Sequence, residues 1–385
     1  MKQNKRQWPK WPNYNQDDAK QVLKVIKSNK LVSWGNKKEL YDGYVKKFEN
    51  AFSKYQSVKY SLGVGNGTQG LHLALASINI SKGDEVIVPV YSHIATASCV
   101  LMQNATPIFV DTNKHNLIIS FEEIKKKISK NTRAIILTIL YGYSEDISDI
   151  VSYCKKNKIY LIIDSSHSHC SKTGNIFSSN FADISVFSLN ERKVLPGGDA
   201  GVVTTNSVRL AKKIYRLRSF GDKQLSYNFR MSEFSGAILL KRLSKINYEN
   251  NKRIYNANYI NQLSRNYNHI FKIKVSAKKY IPTYYKLIIE FSLNKSKNDL
   301  KKINTYLNNK GIKTELTYSL LCNHPHFQDN LIQKKNKLNI RNYKQLYPNA
   351  YKFSQINLLQ ININPPVNKH HLNYLFKSIK NFYKI

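Results

Sequence analysis

The stretch Ile159-Tyr160-Leu161-Ile162-Ile163-Asp164 decides the fold, because it is a mostly apolar run of strand length that ends in an acidic residue. From about residue 60 onward, apolar runs alternate with amphipathic stretches. The strand-like runs cover residues 60–65, 85–89, 107–111, 134–139 and 159–163, and the helical stretches cover residues 71–78, 95–102, 121–128 and 147–156. This repetition predicts an α/β fold with a large, doubly wound, mostly parallel sheet that binds ligands at the carboxyl ends of its strands.

The pattern changes near Asn250, which indicates a second unit. Before it, short strands over residues 184–188 and 201–205 precede helical stretches over residues 208–218 and 232–242. Beyond it, a strand over residues 287–293 and helices over residues 299–308 and 371–382 predict a smaller C-terminal α+β domain. Single cores stop growing at roughly 250 to 300 residues. We therefore predict an N-terminal arm and large domain over residues 1–250 and a small domain over residues 251–385.

The sequence shows neither a membrane segment nor a cysteine framework. No apolar run approaches the ~18 residues of a membrane span, and the basic start leads into Trp8-Pro9 rather than an apolar signal core. We expect a soluble, cytoplasmic protein without membrane contact. The cysteines have no paired spacing, so we expect reduced thiols rather than disulfides or a zinc ribbon at Cys99, Cys154, Cys170 and Cys322.

The formal charge of +37 is the most extreme feature of the composition. Basic surfaces can bind nucleic acid through counterion release. Here the lysines are spread from Lys20 to Lys380 beside abundant Asn, Ile and Tyr, as an AT-rich coding sequence would produce. No RNP-like aromatic pattern, finger spacing or basic tail accompanies them. We therefore expect no nucleic-acid partner, and we expect the charge to steer an anionic small substrate.

Lys193 is the most informative side chain for chemistry. It ends the segment Phe187-Ser188-Leu189-Asn190-Glu191-Arg192-Lys193, 29 residues after Asp164, and glycines at positions 197, 198 and 201 leave room for a bulky ligand. A lysine in a Schiff base with pyridoxal phosphate needs a carboxylate that keeps the pyridine ring protonated. Asp164 and Lys193 can supply both groups, so they predict a pyridoxal phosphate site. The alternatives are a solvated surface lysine and an aspartate that caps a helix.

The segment Gly65-Asn66-Gly67-Thr68-Gln69 lies between a predicted strand and a predicted helix. Backbone N–H groups at such a helix start, with the positive end of the helix dipole, favour a phosphate group. Ser188, five residues before Lys193, could add its hydroxyl. A simple turn with a cap, and a buried strand serine, are the alternatives.

Histidines follow two of the predicted strand ends. His93 could stack its flat ring on a pyridine ring, or it could be an ordinary loop residue. His167, three residues after Asp164, could hydrogen-bond the phenolic oxygen of the cofactor. With His169 and Cys170 it could instead bind a metal, but a fourth ligand at finger-like spacing is missing from the sequence. We therefore expect no metal site.

With these residues in place, the chain resembles the DegT and StrS family of sugar aminotransferases, which have the aspartate-aminotransferase-like fold and use pyridoxal phosphate. The resemblance covers most of the sequence, and its segments keep their order and spacing. These segments are Asn66-Gly67-Thr68, Gly83-Asp84-Glu85-Val86-Ile87-Val88-Pro89, Ala105-Thr106-Pro107-Ile108-Phe109-Val110-Asp111, Tyr141-Gly142, Asp164-Ser165-Ser166-His167-Ser168-His169, Phe187-Ser188-Leu189 through Lys193, Leu217-Arg218-Ser219-Phe220-Gly221 and Tyr227-Asn228-Phe229-Arg230-Met231-Ser232-Glu233.

The resemblance implies a role for each candidate residue. Lys193 would hold the cofactor as a Schiff base and Asp164 would hold the pyridine nitrogen, so both would be catalytic. Asn228 would reach over from a second subunit, which implies a homodimer with shared active sites. Arg230 would support that crossing loop or bind an anionic substrate group, unless it only forms a structural salt bridge. The other cofactor-binding residues that the resemblance implies are Gly67, Thr68, Gln69, His93, His167 and Ser188.

Several positions depart from the family pattern. His93 replaces a common aromatic residue and His167 replaces a frequent Gln, but both keep a planar or hydrogen-bonding group. Arg192 stands where a small hydroxyl residue often precedes the lysine, and Gly198-Asp199-Ala200-Gly201 stands where Gly-Glu-Gly-Gly is typical. We expect these departures to affect substrate preference more than cofactor binding.

The resemblance implies a fold type I aminotransferase that moves an amino group from glutamate or glutamine to a keto group of a nucleotide-linked sugar, for polysaccharide or secondary-metabolite synthesis. Relatives that dehydrate sugars carry His where Lys193 stands, so the lysine favours transamination. A cyclitol aminotransferase is an alternative, because the start Trp8-Pro9-Lys10-Trp11-Pro12 resembles that of some such members. A regulatory or nucleic-acid-binding protein that keeps the fold without turnover is an alternative from another class.

Overall fold

The structure is a computed structural model that describes residues 8–33, 42–114, 116–220, 225–292, 297–336, 342–355 and 358–384. The strands are β1 (Tyr60–Val64), β2 (Glu85–Pro89), β3 (Thr106–Val110), β4 (Thr132–Thr138), β5 (Tyr160–Asp164), β6 (Lys172–Thr173), β7 (Ile176–Phe177), β8 (Ile184–Ser188), β9 (Gly201–Thr205), β10 (Phe271–Ile273), β11 (Tyr280–Ile281), β12 (Leu287–Phe291), β13 (Thr314–Leu316) and β14 (Leu358–Ile361). The helices are α1 (Gln16–Ser28), α2 (Tyr44–Gln56), α3 (Gly67–Ser77), α4 (Ala95–Leu101), α5 (Phe121–Lys127), α6 (Ser148–Asn157), α7 (Val208–Arg218), α8 (Glu233–Leu243), α9 (Ile246–Ser264), α10 (Lys297–Asn309), α11 (Asn330–Asn336), α12 (Tyr343–Leu346), α13 (Pro348–Gln355) and α14 (Lys369–Tyr383).

Seven strands form the central sheet, in the order β1-β9-β8-β5-β4-β2-β3. The five strands from β8 to β3 run parallel, whereas β9 is antiparallel to both β8 and β1. Side chains of β4 alternate between two apolar cores, with Ala134 and Ile136 in one and Ile135 and Leu137 in the other. Helices therefore cover both faces, and the predicted mostly parallel, doubly wound sheet is confirmed.

The start of α3 differs from the sequence-based prediction. The helix begins at Gly67, four residues before the predicted residue 71. It begins there because the Asn66 side chain caps it, accepting a hydrogen bond of 2.9 Å from the backbone N–H of Gln69. The segment between strand and helix is therefore mostly the first helical turn. Asp164 is likewise the last residue of β5 rather than the residue after it.

A second, four-stranded antiparallel sheet has the order β10-β12-β14-β13. Helices α9, α10 and α14 contact it or one another beside it. The predicted division at residue 250 falls inside α9, so the two-domain division stays a prediction. Trp8 joins the N-terminal arm to this part, because its backbone N–H donates to Gly311 O at 3.0 Å and its indole donates to Asn362 O at 2.8 Å.

The described residues contain neither a membrane-spanning helix nor a disulfide bond. Throughout the described ranges, no helix combines the length and the apolar character that a membrane crossing requires. The four cysteines are buried, and none of them forms a disulfide with another.

Candidate active site

A cavity of about 890 Å³ lies where the carboxyl ends of β4, β5 and β8 meet the four-stranded sheet. Each of these three strands contributes its last residue to the cavity wall, and β13 and β14 contribute from the opposite side. The cavity therefore lies at the sheet edge that the sequence predicts. It brings together the predicted residues Gly67, Thr68, Gln69, His93, Asp164, His167, Ser188 and Lys193.

The start of α3 approaches the end of β8 very closely. A Cβ atom at Gly67 would lie only 2.9 Å from Cβ of Ser188, so a larger residue would force the two elements apart. The first N–H groups of a helix have no acceptor within the helix. Among them, the N–H of Gln69 is already bound by Asn66, and the N–H groups of Gly67 and Thr68 are the ones left to bind a ligand. This positive helix end beside the Ser188 hydroxyl can bind a phosphate.

The Asp164 carboxylate is buried and held at both oxygens. Its Oδ1 accepts a hydrogen bond of 3.1 Å from the Ser166 N–H, and its Oδ2 accepts one of 3.2 Å from the Thr96 hydroxyl. The Ser92 hydroxyl lies 3.0 Å from that of Thr96 and extends the polar network. A fixed carboxylate of this kind can hold a protonated ring nitrogen.

His167 is a neutral hydrogen-bond donor in this site. Its Nδ1 accepts a hydrogen bond of 3.2 Å from the backbone N–H of Tyr141, a residue in the left-handed region with φ of 57°. Burial, and then the charge of Lys193, lower the pKa of His167 well below its usual value. The proton of the neutral ring is therefore on Nε2. The ring stacks on Tyr285 at 4.2 Å between centroids and 16° between planes, which fixes its orientation.

His93 and His169 have different surroundings. His93 Nδ1 accepts a hydrogen bond of 3.2 Å from the Ala95 N–H, and burial lowers its pKa, so a neutral flat ring lies in the cavity wall. His169 donates from Nε2 to the backbone carbonyl of Ser188 at 2.9 Å, and burial lowers its pKa to about 3. It therefore supports the end of β8.

Across the described ranges, no three His, Cys, Asp or Glu side chains are grouped as a metal site would require.

Lys193 combines an apolar environment with a cationic neighbour. Its Nζ lies 4.5 Å from the centroid of the Tyr285 ring. Burial lowers its pKa to about 8, the carboxylate of Asp164 opposes this shift, and the charge of Lys286 adds to it. A lysine with such a pKa is partly neutral near neutral pH, so it can act as a nucleophile and as a base.

Asn228 and Arg230 are not among the described residues that line the cavity. Two backbone hydrogen bonds hold their segment in place. The Phe229 N–H donates to Arg218 O at 2.9 Å, and the Gly65 N–H donates to Phe229 O at 3.0 Å. The Asn228 side chain is exposed, and the Arg230 guanidinium lies 5.0 Å from the Phe220 ring centroid. The role of Asn228 in a neighbouring subunit, and that of Arg230, stay predictions.

Several residues of the site were missed by the sequence analysis. Thr96 and Ser166 hold Asp164, and part of the wall comes from the second sheet and the segments next to its strands. No local motif marks these positions. The chain contains 26 tyrosines and 61 lysines and arginines, so a single tyrosine or lysine in the sequence does not indicate a site. The wall residues from the C-terminal part are Tyr285, Lys286, Glu315, Tyr318 and Gln360.

Comparison with known proteins agrees with this geometry. Residues 12–350 match the family model of the DegT/DnrJ/EryC1/StrS aminotransferase family. The GDP-perosamine synthase of Escherichia coli O157:H7 is 30% identical over 312 residues, which cover 79% of this chain and 82% of that protein. The L-glutamine:2-deoxy-scyllo-inosose aminotransferase of Streptomyces fradiae is 30% identical over 270 residues, 66% of this chain and 63% of that protein. A solved aminotransferase structure from Psychrobacter cryohalolentis has a TM-score of 0.87 at 22% identity and covers 98% of this chain and 99% of its own.

The chain belongs to the DegT/DnrJ/EryC1/StrS aminotransferase family, and the fold type I architecture expected from the sequence is confirmed. Aminotransferases of this family depend on pyridoxal 5′-phosphate, as expected. The cavity fits that cofactor. The positive start of α3 lies beside the Ser188 hydroxyl in the cavity, and the fixed Asp164 carboxylate lies in the same cavity. The buried Oε1 of Gln69 has no hydrogen-bond partner within the part of the chain that the structure describes.

Proposed function

We propose that this aminotransferase moves an amino group from glutamate or glutamine to a keto group of a nucleotide-linked sugar. The observation that carries the proposal is that one cavity contains Lys193, the Asp164 carboxylate and the start of α3. The relative named GDP-perosamine synthase supports a nucleotide-linked substrate. The high positive charge of the chain, +37, would favour such an anionic substrate.

The residues around the cavity have separate proposed roles. The N–H groups of Gly67 and Thr68, with the Ser188 hydroxyl, would hold the cofactor phosphate, and Asp164 would hold its ring nitrogen. When bound, the cofactor supplies an electron-withdrawing ring that stabilises negative charge on the carbon that loses a proton. Lys193 Nζ would remove that proton from the amino donor and return one at the sugar carbon. The donor leaves as a 2-oxo acid, and the keto group of the sugar becomes an amine.

His93 and His167 would position the ring of the cofactor. His93 presents a neutral flat ring, and His167 presents its Nε2–H as a donor for the phenolic oxygen. Gln69 would contribute its side chain, whose Oε1 lies inside the wall. Asn228, exposed on its own chain, would complete the site of a neighbouring subunit in a homodimer.

A spectroscopic experiment tests the function. The purified full-length protein should take up pyridoxal phosphate, and the visible band should bleach when glutamate or glutamine is added. Nucleotide-linked keto sugars added to the bleached protein should restore the band, and the sugar that does so identifies the acceptor. The Lys193→Ala variant is the negative control, and Lys313→Gln is a control for the loss of one lysine charge at an exposed position. A wild-type protein that binds the cofactor but does not bleach with any amino acid would contradict the proposal.

A second candidate acceptor is a keto cyclitol without a nucleotide. It is favoured by the relative named L-glutamine:2-deoxy-scyllo-inosose aminotransferase, which has the same identity of 30% over a shorter part of this chain. The same experiment separates the two candidates, because a cyclitol ketone would restore the band where every nucleotide-linked keto sugar fails.

A further inference from the structure

The wall of the cavity opposite the large sheet contains a lysine that the proposed chemistry does not use. Lys286 directly precedes β12, and its side chain is only 13% exposed. Its Nζ lies 5.8 Å from the Tyr285 ring centroid, the same ring that Lys193 Nζ approaches to 4.5 Å. Two lysine side chains therefore approach one aromatic ring of the cavity wall.

The only carboxylate that the structure pairs with Lys286, among the described residues, is a weak partner. Glu315 Oε1 lies 3.5 Å from Lys286 Nζ, and the Glu315 side chain is 56% exposed. Strong charge-assisted hydrogen bonds are about 2.7 to 2.9 Å long, and exposed ion pairs contribute little. A mostly buried ammonium with one long, solvated contact is poorly compensated for its lost hydration.

A second cation lies near this lysine. Arg192 lines the same cavity, and its charge acts on both Lys286 and Tyr285. Burial lowers the pKa of Lys286, Glu315 opposes that shift, and Arg192 adds to it. Arg192 comes from the Lys193 loop and Lys286 directly precedes β12, so the two cations come from distant segments of the chain that line one cavity.

The other acids of the cavity wall are placed differently. Asp164 is held at the buried end by Ser166 and Thr96. Glu191 and Asp199 are exposed residues of the loop around Lys193. Within the described residues, Glu315 is the acid that pairs with Lys286, so Lys286 and Arg192 give this part of the wall two positive charges beside that one exposed carboxylate.

We propose that Lys286, with Arg192 beside it, forms a subsite for an oxyanion, a carboxylate or phosphate group, carried by one of the substrates. The inference rests on the proposed function, because the subsite lies in the same cavity. An oxyanion there would give the buried ammonium a close acceptor and would displace the exposed Glu315 carboxylate. Two sources carry this chemistry, the α-carboxylate of the amino donor and the diphosphate of a nucleotide-linked sugar.

Calorimetric titration of the cofactor-loaded, full-length protein tests the subsite. Glutarate is the carboxylate probe, because it lacks an amino group and cannot react, and inorganic diphosphate is the phosphate probe. The variants are Lys286→Gln, Lys286→Arg and Glu315→Gln. Lys313→Gln is the matched control, because it removes an exposed lysine next to β13 that is not in the described cavity wall.

Lys286→Gln should weaken one of the two probes about tenfold or more, as expected for the loss of a charge-assisted hydrogen bond. Lys286→Arg should keep binding within about threefold, and Glu315→Gln should tighten it because a competing carboxylate is lost. Loss of glutarate binding alone assigns the subsite to the amino donor, and loss of diphosphate binding alone assigns it to the sugar nucleotide. Unchanged binding of both probes in Lys286→Gln overturns the inference.

If the Lys286–Glu315 ion pair were purely structural, Lys286→Gln and Glu315→Gln would both weaken the binding of the probes. This outcome also overturns the proposed subsite. If Lys286→Gln does not fold, Glu315→Gln decides alone: tighter binding supports the subsite and weaker binding overturns it. The cofactor band and its bleaching by glutamate are recorded separately on the wild-type protein. A protein that binds glutarate through Lys286 but shows no bleaching would refute the proposed function and not the subsite.

Discussion

The indole Nε1 of Trp11 donates a hydrogen bond of 2.9 Å to the backbone carbonyl of Lys193. The N-terminal arm therefore contacts the loop that carries Lys193, across 182 residues of sequence. The arm is secured on the far side of Trp11 by Arg242, which donates to Asn13 O at 2.8 Å and to Asp18 Oδ2 at 2.8 Å. These contacts predict that the arm positions Lys193.

Replacing Trp11 by Phe should release the Lys193 loop. The loss of one hydrogen bond should lower the free energy of unfolding by about 1 kcal/mol, and the affinity for pyridoxal phosphate should fall severalfold because the lysine is less well positioned. Denaturant unfolding and cofactor titration measure the two effects. Trp8→Phe is the matched control, because it removes an equivalent bond of 2.8 Å that goes to Asn362 O and not to the Lys193 loop. Equal loss of cofactor affinity in both variants would contradict the positioning role.

Replacing Asp164 by Asn should separate cofactor binding from chemistry. The side chain keeps its size, its amide oxygen can still accept from the Ser166 N–H, and its amide NH2 can donate to the Thr96 hydroxyl, so the cofactor band should remain. The half-reaction rate with glutamate should fall by about a hundredfold or more, because a neutral amide cannot stabilise a protonated ring nitrogen. Stopped-flow bleaching measures this rate. Thr96→Val removes one hydrogen bond from the carboxylate and should give a smaller loss, and near-normal rates in Asp164→Asn would refute the assigned role.

Mixed dimers test whether Asn228 acts across a subunit boundary. Lys193→Ala and Asn228→Ala proteins should each be inactive or nearly so on their own. After the two are unfolded and refolded together, hybrid dimers should regain activity, because one of their two sites would hold an intact Lys193 and an intact Asn228. Activity is measured against the mixing ratio, with each variant refolded alone as the control. Absence of recovery would show that Asn228 does not act in the neighbouring site.

The lowered pKa of Lys193 predicts how cofactor capture depends on pH. The neutral amine is the form that attacks the cofactor aldehyde, and its fraction rises as pH rises through the pKa, here about 8 instead of 10.5. The rate of capture by cofactor-free protein should therefore rise between pH 7 and 9 and level off above about pH 9. Lys286→Gln should move the midpoint upward, because one cation that disfavours the charged form is lost. A wild-type midpoint near 10.5 would contradict the prediction.

Much of the fold and the centre of the site could be predicted from the sequence because they depend on local patterns. Hydrophobic alternation fixes strands and helices, and the ends of parallel strands share one edge of the sheet. Asp164 at the end of β5, Ser188 at the end of β8 and the start of α3 therefore had to lie close together. The antiparallel direction of β9 and the exact start of α3 were not predicted, because they depend on pairing and on the Asn66 cap.

The sequence by itself determined the family and the cofactor and predicted Lys193 as the reactive lysine, because an ordered set of local motifs is specific even where each motif alone is weak. Only the tertiary structure decided which side chains surround that lysine. Thr96 reaches Asp164 across 68 residues, and Trp11 reaches Lys193 across 182. Lys286, directly before β12, and Glu315, in β13, enter the wall from the C-terminal part of the chain. Such contacts depend on how distant segments pack, and in a chain rich in lysine and tyrosine no local spacing distinguishes these residues from the many that remain on the surface.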